Sequence, residues 1–358
     1  MSAQIGQVMT MGLPGPELDE ELRDFIRQYQ PGGFILFGRN IESPSQLREL
    51  TSELVTLCEV PPIITVDQEG GRVSRLAKIT AQPPFADDLR RARRSDLIEW
   101  HGRLMARLLA AFGFNLNLAP VVDMLIDPEL DNSLYGRCLG SRPEETVQNA
   151  RLWMRAHRAE GVGVTIKHFP GYSLCPKDPH GALPVLNRSR EEMDKSEFIP
   201  FRELLAETDA VMVGHAFYPQ LASDGQPSSL SRAIVSDLLK KEMGCQALVM
   251  TDDLEMGAVA SNYSPADLTR RAMHAGNDLL LFCHDREMVE FASVVLEREP
   301  TELWQPAAER VLEWKKNRPQ PAVHAGSATV AELTAEIEDL NAAVSSALAD
   351  VGDKPFVW

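Results

Sequence analysis

Eight times along the chain a short apolar run, rich in β-branched residues, appears between stretches whose apolar residues recur three and four apart. The runs are Ile5–Met11, Gly33–Phe37, Ile63–Val66, Asn115–Val122, Val162–Ile166, Ala210–Val213, Ala247–Met250 and Asp278–Phe282. Helical spacing marks Glu17–Gln30, Pro44–Cys58, Asp96–Phe112, Pro143–Glu160, Arg190–Thr208, Arg232–Met243 and Ala266–Ala275. The runs do not alternate polar with apolar, which fits strands buried on both faces of a parallel sheet. Repeated βα units restrict an α/β chain to a doubly wound sheet or a barrel, and eight runs favour a (β/α)8 TIM-type barrel.

The bulk numbers agree with one large soluble unit. The chain has 358 residues, 44% hydrophobic and 25% charged, enough for a substantial core. A net charge of −16 without any basic stripe argues against nucleic acid as a partner. Met1 to Gly15 has no basic leader, and no stretch approaches the roughly 18 apolar residues of a membrane span, so a cytoplasmic protein with no membrane partner is expected. Five scattered cysteines, with no CxxC pair, read as free thiols in a reducing compartment. Beyond a Pro-rich break at Arg318-Pro319-Gln320-Pro321, Val330–Leu348 reads as an acidic, Ala-rich amphipathic helix. The expected division is a catalytic barrel over 1–320 and a helical extension over 321–358 that packs outside the barrel or mediates a self-contact.

Polar residues concentrate where the predicted strands end. Val66 is followed by Asp67-Gln68-Glu69-Gly70-Gly71-Arg72, Val122 by Asp123, Ile166 by Lys167-His168, Val213 by Gly214-His215, and Met250 by Thr251-Asp252-Asp253. In a β/α barrel these ends converge on one rim, the face that carries active sites. Three elements there have chemical potential. Asp178-x-His180 ends a Pro- and Gly-rich loop after Lys167-His168-Phe169-Pro170-Gly171; in an extended segment both side chains share a face, suiting an acid/base imidazole, or else the segment is an exposed polar turn. Asp252-Asp253 is costly unless the two carboxylates face different surroundings: one an ionised nucleophile and the other a substrate ligand or helix cap, or both part of a metal site. Asp67 can accept two sugar hydroxyls, with Arg72 a partner for Glu69 or for rim carbonyls. Gly136-Arg137-Cys138 presents one arginine on a turn, and Cys175 reads as a packing residue.

Together these motifs resemble glycoside hydrolase family 3, and within it the bacterial β-N-acetylglucosaminidases of the NagZ type. The resemblance runs from about Gly12 to Cys283. It rests on Lys167-His168-Phe169-Pro170-Gly171, Asp178-x-His180 and Asp252-Asp253-Leu254-x-Met256, supported by Gly32-Gly33-Phe34-Ile35-Leu36-Phe37 with Arg39-Asn40, Asp67-Gln68-Glu69-Gly70-Gly71, Ala119-Pro120-Val121-Val122-Asp123 and Ser228-Ser229-Leu230-Ser231. It implies a retaining exo-glycosidase that removes terminal β-linked N-acetylhexosamine, in bacteria from muropeptide fragments of the cell wall. Asp252 is then the nucleophile, His180 the general acid/base and Asp178 its partner. Asp67, Arg137, Lys167 and His168 are ligands of the sugar, and His215 lines the site. No metal or cofactor is expected; the partner is a small carbohydrate, and the protein is a monomer or weak homodimer.

Three departures from the family pattern stand in this chain. Tyr172-Ser173 replaces His-Gly after the Lys-His-Phe-Pro-Gly run, which predicts a stiffer or differently routed loop. Pro179 replaces the usual Ser between Asp178 and His180, and Cys138-Leu139 replaces Ser-Phe beside the arginine. Three other readings are carried forward: a metal cage from His168, His180, His215, Asp252 and Asp253, a phosphorylase that passes the glycosyl group to phosphate, and a sugar-binding protein without turnover.

Overall fold

The computed structural model describes residues 3–127, 133–175, 183–318 and 329–355. Its centre is a closed barrel of eight parallel strands, in which each strand pairs with its sequence neighbours and the last closes on the first. The strands are β1 (Met9–Gly12), β2 (Gly33–Leu36), β3 (Ile63–Val66), β4 (Leu116–Asn117), β5 (Gly163–Phe169), β6 (Ala210–Val213), β7 (Leu248–Asp253) and β8 (Leu279–Phe282). All eight apolar runs of the sequence therefore enter the barrel. Two are trimmed for visible reasons. The first run begins as a helical turn, Ala3–Gly6. The fourth contains Pro120, which has no N–H to donate, so the regular strand ends at Asn117; beyond it single bonds remain, from Leu118 N–H to the Val66 carbonyl at 3.0 Å, from Thr165 N–H to the Ala119 carbonyl at 2.9 Å and from Val122 N–H to the Lys167 carbonyl at 2.9 Å.

Strand alternation sorts the core into two parts. Ile35, Leu116, Leu118, Met212, Met250 and Leu281 fill the barrel interior. Their neighbours Leu36, Val66, Val164, Val213, Val249 and Phe282 pack outward against the helices. The interior is closed from below by a helix the sequence reading did not single out, Thr301–Lys316, whose Val311 and Trp314 join the interior cluster. Arg286–Glu297 is a second helix missed by that reading. The helix expected over Arg190–Thr208 is instead Arg190–Asp194, Phe198–Leu204 and a short 3-10 turn, because Pro200 is tolerated only in the first turn of a new helix. Ala233–Glu242 is wound as a π-helix.

The C-terminal helix runs Val330–Asp350, started by a reciprocal cap between Thr329 and Glu332. It lies outside the barrel, burying Leu333, Ile337, Leu340 and Val344 against the helices Ser95–Ala110 and Ala86–Arg91. Glu336 accepts from Trp100 Nε1 at 3.0 Å and pairs with Arg107 at 2.5 Å. The boundary expected at residue 320 lies outside the described residues. Among the described residues no helix is long and apolar enough to cross a membrane.

Candidate active site

The C-terminal strand ends surround a cavity of about 470 Å³, and its wall contains Asp67, Arg137, Lys167, His168, Asp252 and Asp253. Six positions picked from strand ends and turns scattered over the chain thus meet in one hollow. Asp178 and His180 lie outside the described residues.

One wall is built around charge. Lys167, on β5, is almost fully buried and reaches Asp67 Oδ1 and Glu69 Oε1, each at 2.6 Å. Arg137 grips Glu69 with two bonds of 2.7 Å from Nε and Nη2, and donates Nη1 to the Ser133 carbonyl at 2.9 Å. Burial alone would push the Glu69 carboxyl up, but Arg137 and Lys167 outweigh it and hold it well below the usual carboxylate range. Glu69 is therefore the anion that keeps two cations in place beside Asp67. The sequence suggested Arg72 as one partner for Glu69; Arg137 takes that place, and Arg72 donates to the Ser133 carbonyl. The tight turn that brings Glu69 inward needs Gly70, whose φ is +96° and where an added Cβ would sit 2.6 Å from His101 Nε2.

Beside it stands His168. Asp123, at the end of the fourth apolar run, accepts from the His168 backbone N–H at 3.1 Å and from Nδ1 at 2.8 Å. A carboxylate can only accept, so Nδ1 carries a proton, and Nε2 is the ring nitrogen not engaged by Asp123. The other Asp123 oxygen accepts Tyr172 N–H at 2.6 Å, and the Tyr172 ring stacks on His168 with centroids 5.1 Å apart and planes 18° apart. Ser173 Oγ accepts Met124 N–H at 2.9 Å. Both residues that depart from the family pattern thus fasten the start of the loop to the Asp123 strand end. Gly214 makes room for the tyrosine: a Cβ there would sit 2.2 Å from its hydroxyl oxygen. Cys138, Leu139 and Cys175 are buried packing residues.

The floor is the Asp252-Asp253 pair, whose two carboxylates meet different surroundings. Asp252 Oδ1 accepts the Asp253 N–H at 2.9 Å. Burial would raise its pKa, but His215, His168, the Asp253 N–H and Lys167 together hold it below the ordinary value. Asp253 is pushed the other way by burial and by the Glu255 and Asp252 carboxylates. Its Oδ1 takes Glu255 N–H at 3.0 Å and Cys283 N–H at 3.3 Å, which ties two strand ends together; the helix cap expected of one member of the pair is not found, since the next helix, Gly257–Ala260, starts after Met256 without a side-chain cap.

His215 does not line the cavity, contrary to expectation. It is fully buried behind the floor, donating Nε2–H to the Asp253 carbonyl at 2.8 Å and meeting Ser229 Oγ at 2.7 Å through Nδ1. Burial holds its pKa down although Asp252 pulls it up. Near neutral pH it therefore acts on the floor through its hydrogen bonds, and its charge bears on Asp252 only at acid pH, where the ring is protonated. Among the described residues no group of three His, Cys, Asp or Glu side chains has the geometry to hold a metal ion. Residues missed in the sequence are Asp123 as an anchor, Glu69 as the shared counter-ion, and Phe37 and His284 on the rim; all four follow strand ends, the same signal that marked the others.

This arrangement, an ionised carboxylate facing a hollow walled by paired charges, suits an uncharged polyol better than a phosphate or a hydrophobe. The glycosyl hydrolase family 3 N-terminal domain matches residues 2–313. The chain belongs to glycoside hydrolase family 3. A β-hexosaminidase of Pseudomonas aeruginosa is 34% identical over 294 residues, 81% of this chain and 86% of its own. One from Tolumonas auensis is 36% identical over 285 residues, 78% of this chain and 83% of its own. A family 3 β-N-acetylglucosaminidase structure from Paenibacillus sp. str. FPU-7 superposes with a TM-score of 0.89 at 30% identity, covering 96% of this chain and 68% of that one. Native NagZ from Neisseria gonorrhoeae gives 0.79 at 27% identity, covering 93% and 97%. As a family 3 member the protein is a glycoside hydrolase, and its barrel is the family's catalytic fold.

Proposed function

We propose that the protein is a retaining exo-β-N-acetylglucosaminidase, acting on terminal β-linked N-acetylhexosamine through a covalent glycosyl-Asp252 intermediate. The observation that carries this reading is Asp252 itself: a half-buried carboxylate on the cavity floor whose pKa is held below the ordinary value, in the same hollow as Asp67, Lys167 and Arg137. A nucleophile must be charged and desolvated before attack, and this floor supplies both. Asp67, Arg137, Lys167 and His168 hold the sugar hydroxyls by charge-assisted bonds, some of which tighten as charge develops at the anomeric carbon. The Nε2 of His168, turned from Asp123, bonds a sugar hydroxyl. His180 protonates the leaving oxygen, oriented by Asp178, so that the acid/base is an imidazole rather than a second carboxylate. The relatives named as β-hexosaminidases and β-N-acetylglucosaminidases support the sugar preference, and a muropeptide fragment in the cytoplasm is the natural substrate we assign, with the enzyme a monomer or weak dimer.

The test is a panel of chromogenic β-glycosides, with N-acetylglucosaminide, glucoside and xyloside compared on the wild type, Asp252→Asn and His180→Ala. The N-acetylglucosaminide is expected to be the best substrate, and Asp252→Asn to be inactive while still folded. His180→Ala should lose most on poor leaving groups; an equal loss across leaving groups of very different acidity refutes the acid/base assignment. Product analysis with and without phosphate separates hydrolysis from phosphorolysis.

A further inference from the structure

The rim residue His284 is more than half open to solvent, yet each of its ring nitrogens lies beside a charged group. Arg39 Nη1 lies 3.4 Å from Nδ1. A guanidinium can only donate, so Nδ1 is the acceptor and, in the neutral ring, the proton sits on Nε2. That nitrogen lies 3.3 Å from Asp253 Oδ2. The ring is placed from every side. Phe37 stacks on it with centroids 5.8 Å apart, and the Arg39 guanidinium packs over the Phe37 ring, 4.5 Å from its centroid. Arg39 is itself tied to the Leu13 carbonyl at 2.8 Å and to the Cys283 carbonyl. The backbone is fastened as well: Glu255 accepts His284 N–H at 2.7 Å and Asp285 N–H at 2.9 Å.

The proposed mechanism has no use for this relay, but its geometry ends at the nucleophile. The Asp253 N–H donates to Asp252, and the rest of that residue is held on both sides, its carboxylate by Glu255 N–H and Cys283 N–H and its carbonyl, in the following peptide, by His215. Protonating Asp253 would cost those bonds an anionic acceptor. We propose that His284 is a positioning residue: its Nε2–H, aimed by Arg39, keeps the Asp253 carboxylate ionised and so keeps the Asp253 N–H directed at Asp252. The groups facing Asp253 are Asp252 and Glu255 from its own segment, Cys283 and His284 after β8, Arg39 after β2, and His215 after β6 at the carbonyl. Burial and the two carboxylates favour the protonated form, while the Glu255 N–H and His284 favour the anion. Arg39 adds a weaker pull in the same direction.

The inference rests on Asp252 as nucleophile, so its test needs one readout that does not. Three variants are compared: His284→Phe keeps a ring against Phe37 but has no donor, His284→Ala removes both, and His284→Gln restores an N–H. The titration of the Asp253 carboxyl is followed by 13C NMR in each, assigned by its absence in Asp253→Asn. It is expected to move to higher pH by about half a unit or more in His284→Phe and His284→Ala, and back toward wild type in His284→Gln. The acid limb of kcat/KM for 4-nitrophenyl N-acetyl-β-glucosaminide should move with it, a loss of about threefold on that limb. An Asp253 titration unmoved in His284→Phe overturns the proposal whatever the turnover assay gives. A shifted titration with an unmoved acid limb overturns the link to the nucleophile. Full activity in Asp252→Asn sinks the nucleophile assignment instead, and leaves the titration result to stand separately.

Discussion

The two ends of the barrel use the same kinds of residue for opposite purposes. At the strand starts, Asn115, Asp209 and Asp278 each accept the backbone N–H of the preceding strand, at Ile64, Val164 and Val249, all at 2.8 Å. Arg158 and Arg318 close on Asp209, while Lys240 and Arg310 close on Asp278, and the helix Thr301–Lys316 seals the opening. At the strand ends, Asp67, Lys167, His168 and Asp252 also have partners, but each still faces a hollow. A charge paired and sealed inside the protein serves the fold; a charge held by partners at the wall of a hollow is available to a ligand.

Substitutions at matched positions test that contrast. The largest effect is expected for Asp252→Asn, with turnover falling on the order of 10⁴-fold and little change in Tm, since the amide keeps an oxygen for the Asp253 N–H. Asp278→Ala should do the reverse. It strands Val249 N–H, Lys240 and Arg310, costing about 3 kcal/mol in urea unfolding while kcat/KM stays within twofold. A folded Asp278→Ala enzyme that turns over ten times more slowly would break the contrast.

Glu69→Gln should register on both scales. Removing the anion between Lys167 and Arg137 is expected to cost about 3 kcal/mol at neutral pH and to raise KM. The sign of its pH dependence follows from the depressed Glu69 pKa. A carboxyl held below its unfolded value, near 4.3, contributes fully above that pH and progressively less as pH falls toward the folded value. Wild type should therefore lose stability below about pH 4.3, and Glu69→Gln should flatten that decline in urea titrations between roughly pH 3 and pH 7. Equal slopes in both proteins would show that Glu69 is not the counter-ion described.

Tyr172→Phe should have the smallest effect. The buried hydroxyl has no hydrogen-bond partner among the described residues. Its loss should leave Tm unchanged or slightly raised, by less than about 1 kcal/mol, and leave kcat/KM intact, because stacking on His168 and the backbone bond to Asp123 survive. A tenfold fall in kcat/KM would instead mean that the phenol meets the substrate.

Legibility along the chain followed the range of each interaction. The eight strands were visible because a strand buried on both faces leaves a local mark, an unbroken apolar run. The errors were local too: Pro120 cut β4 short and Pro200 split a helix, each by lacking an N–H. The cavity-lining residues Asp67, Lys167, His168 and Asp252 were visible by position, since a parallel barrel gathers its strand ends. Their pairing was not. Lys167 meets Asp67 across 100 residues and Arg137 meets Glu69 across 68. His215 carried the same strand-end signal as His168, yet it turns behind the floor while His168 faces the hollow. His284 carried that signal and was passed over because one histidine after a strand has no pattern around it.

The sequence by itself determined the barrel, the face that bears the chemistry and the family, because periodicity and motif spacing are properties of neighbours along the chain. Only the tertiary structure decided which carboxylate of the pair has its pKa lowered and which has it raised, which arginine neutralises Glu69, and which histidine sees the cavity. Those outcomes depend on burial and on distances of about 3 Å between residues from different strands, and they exist only once the eighth strand has closed on the first.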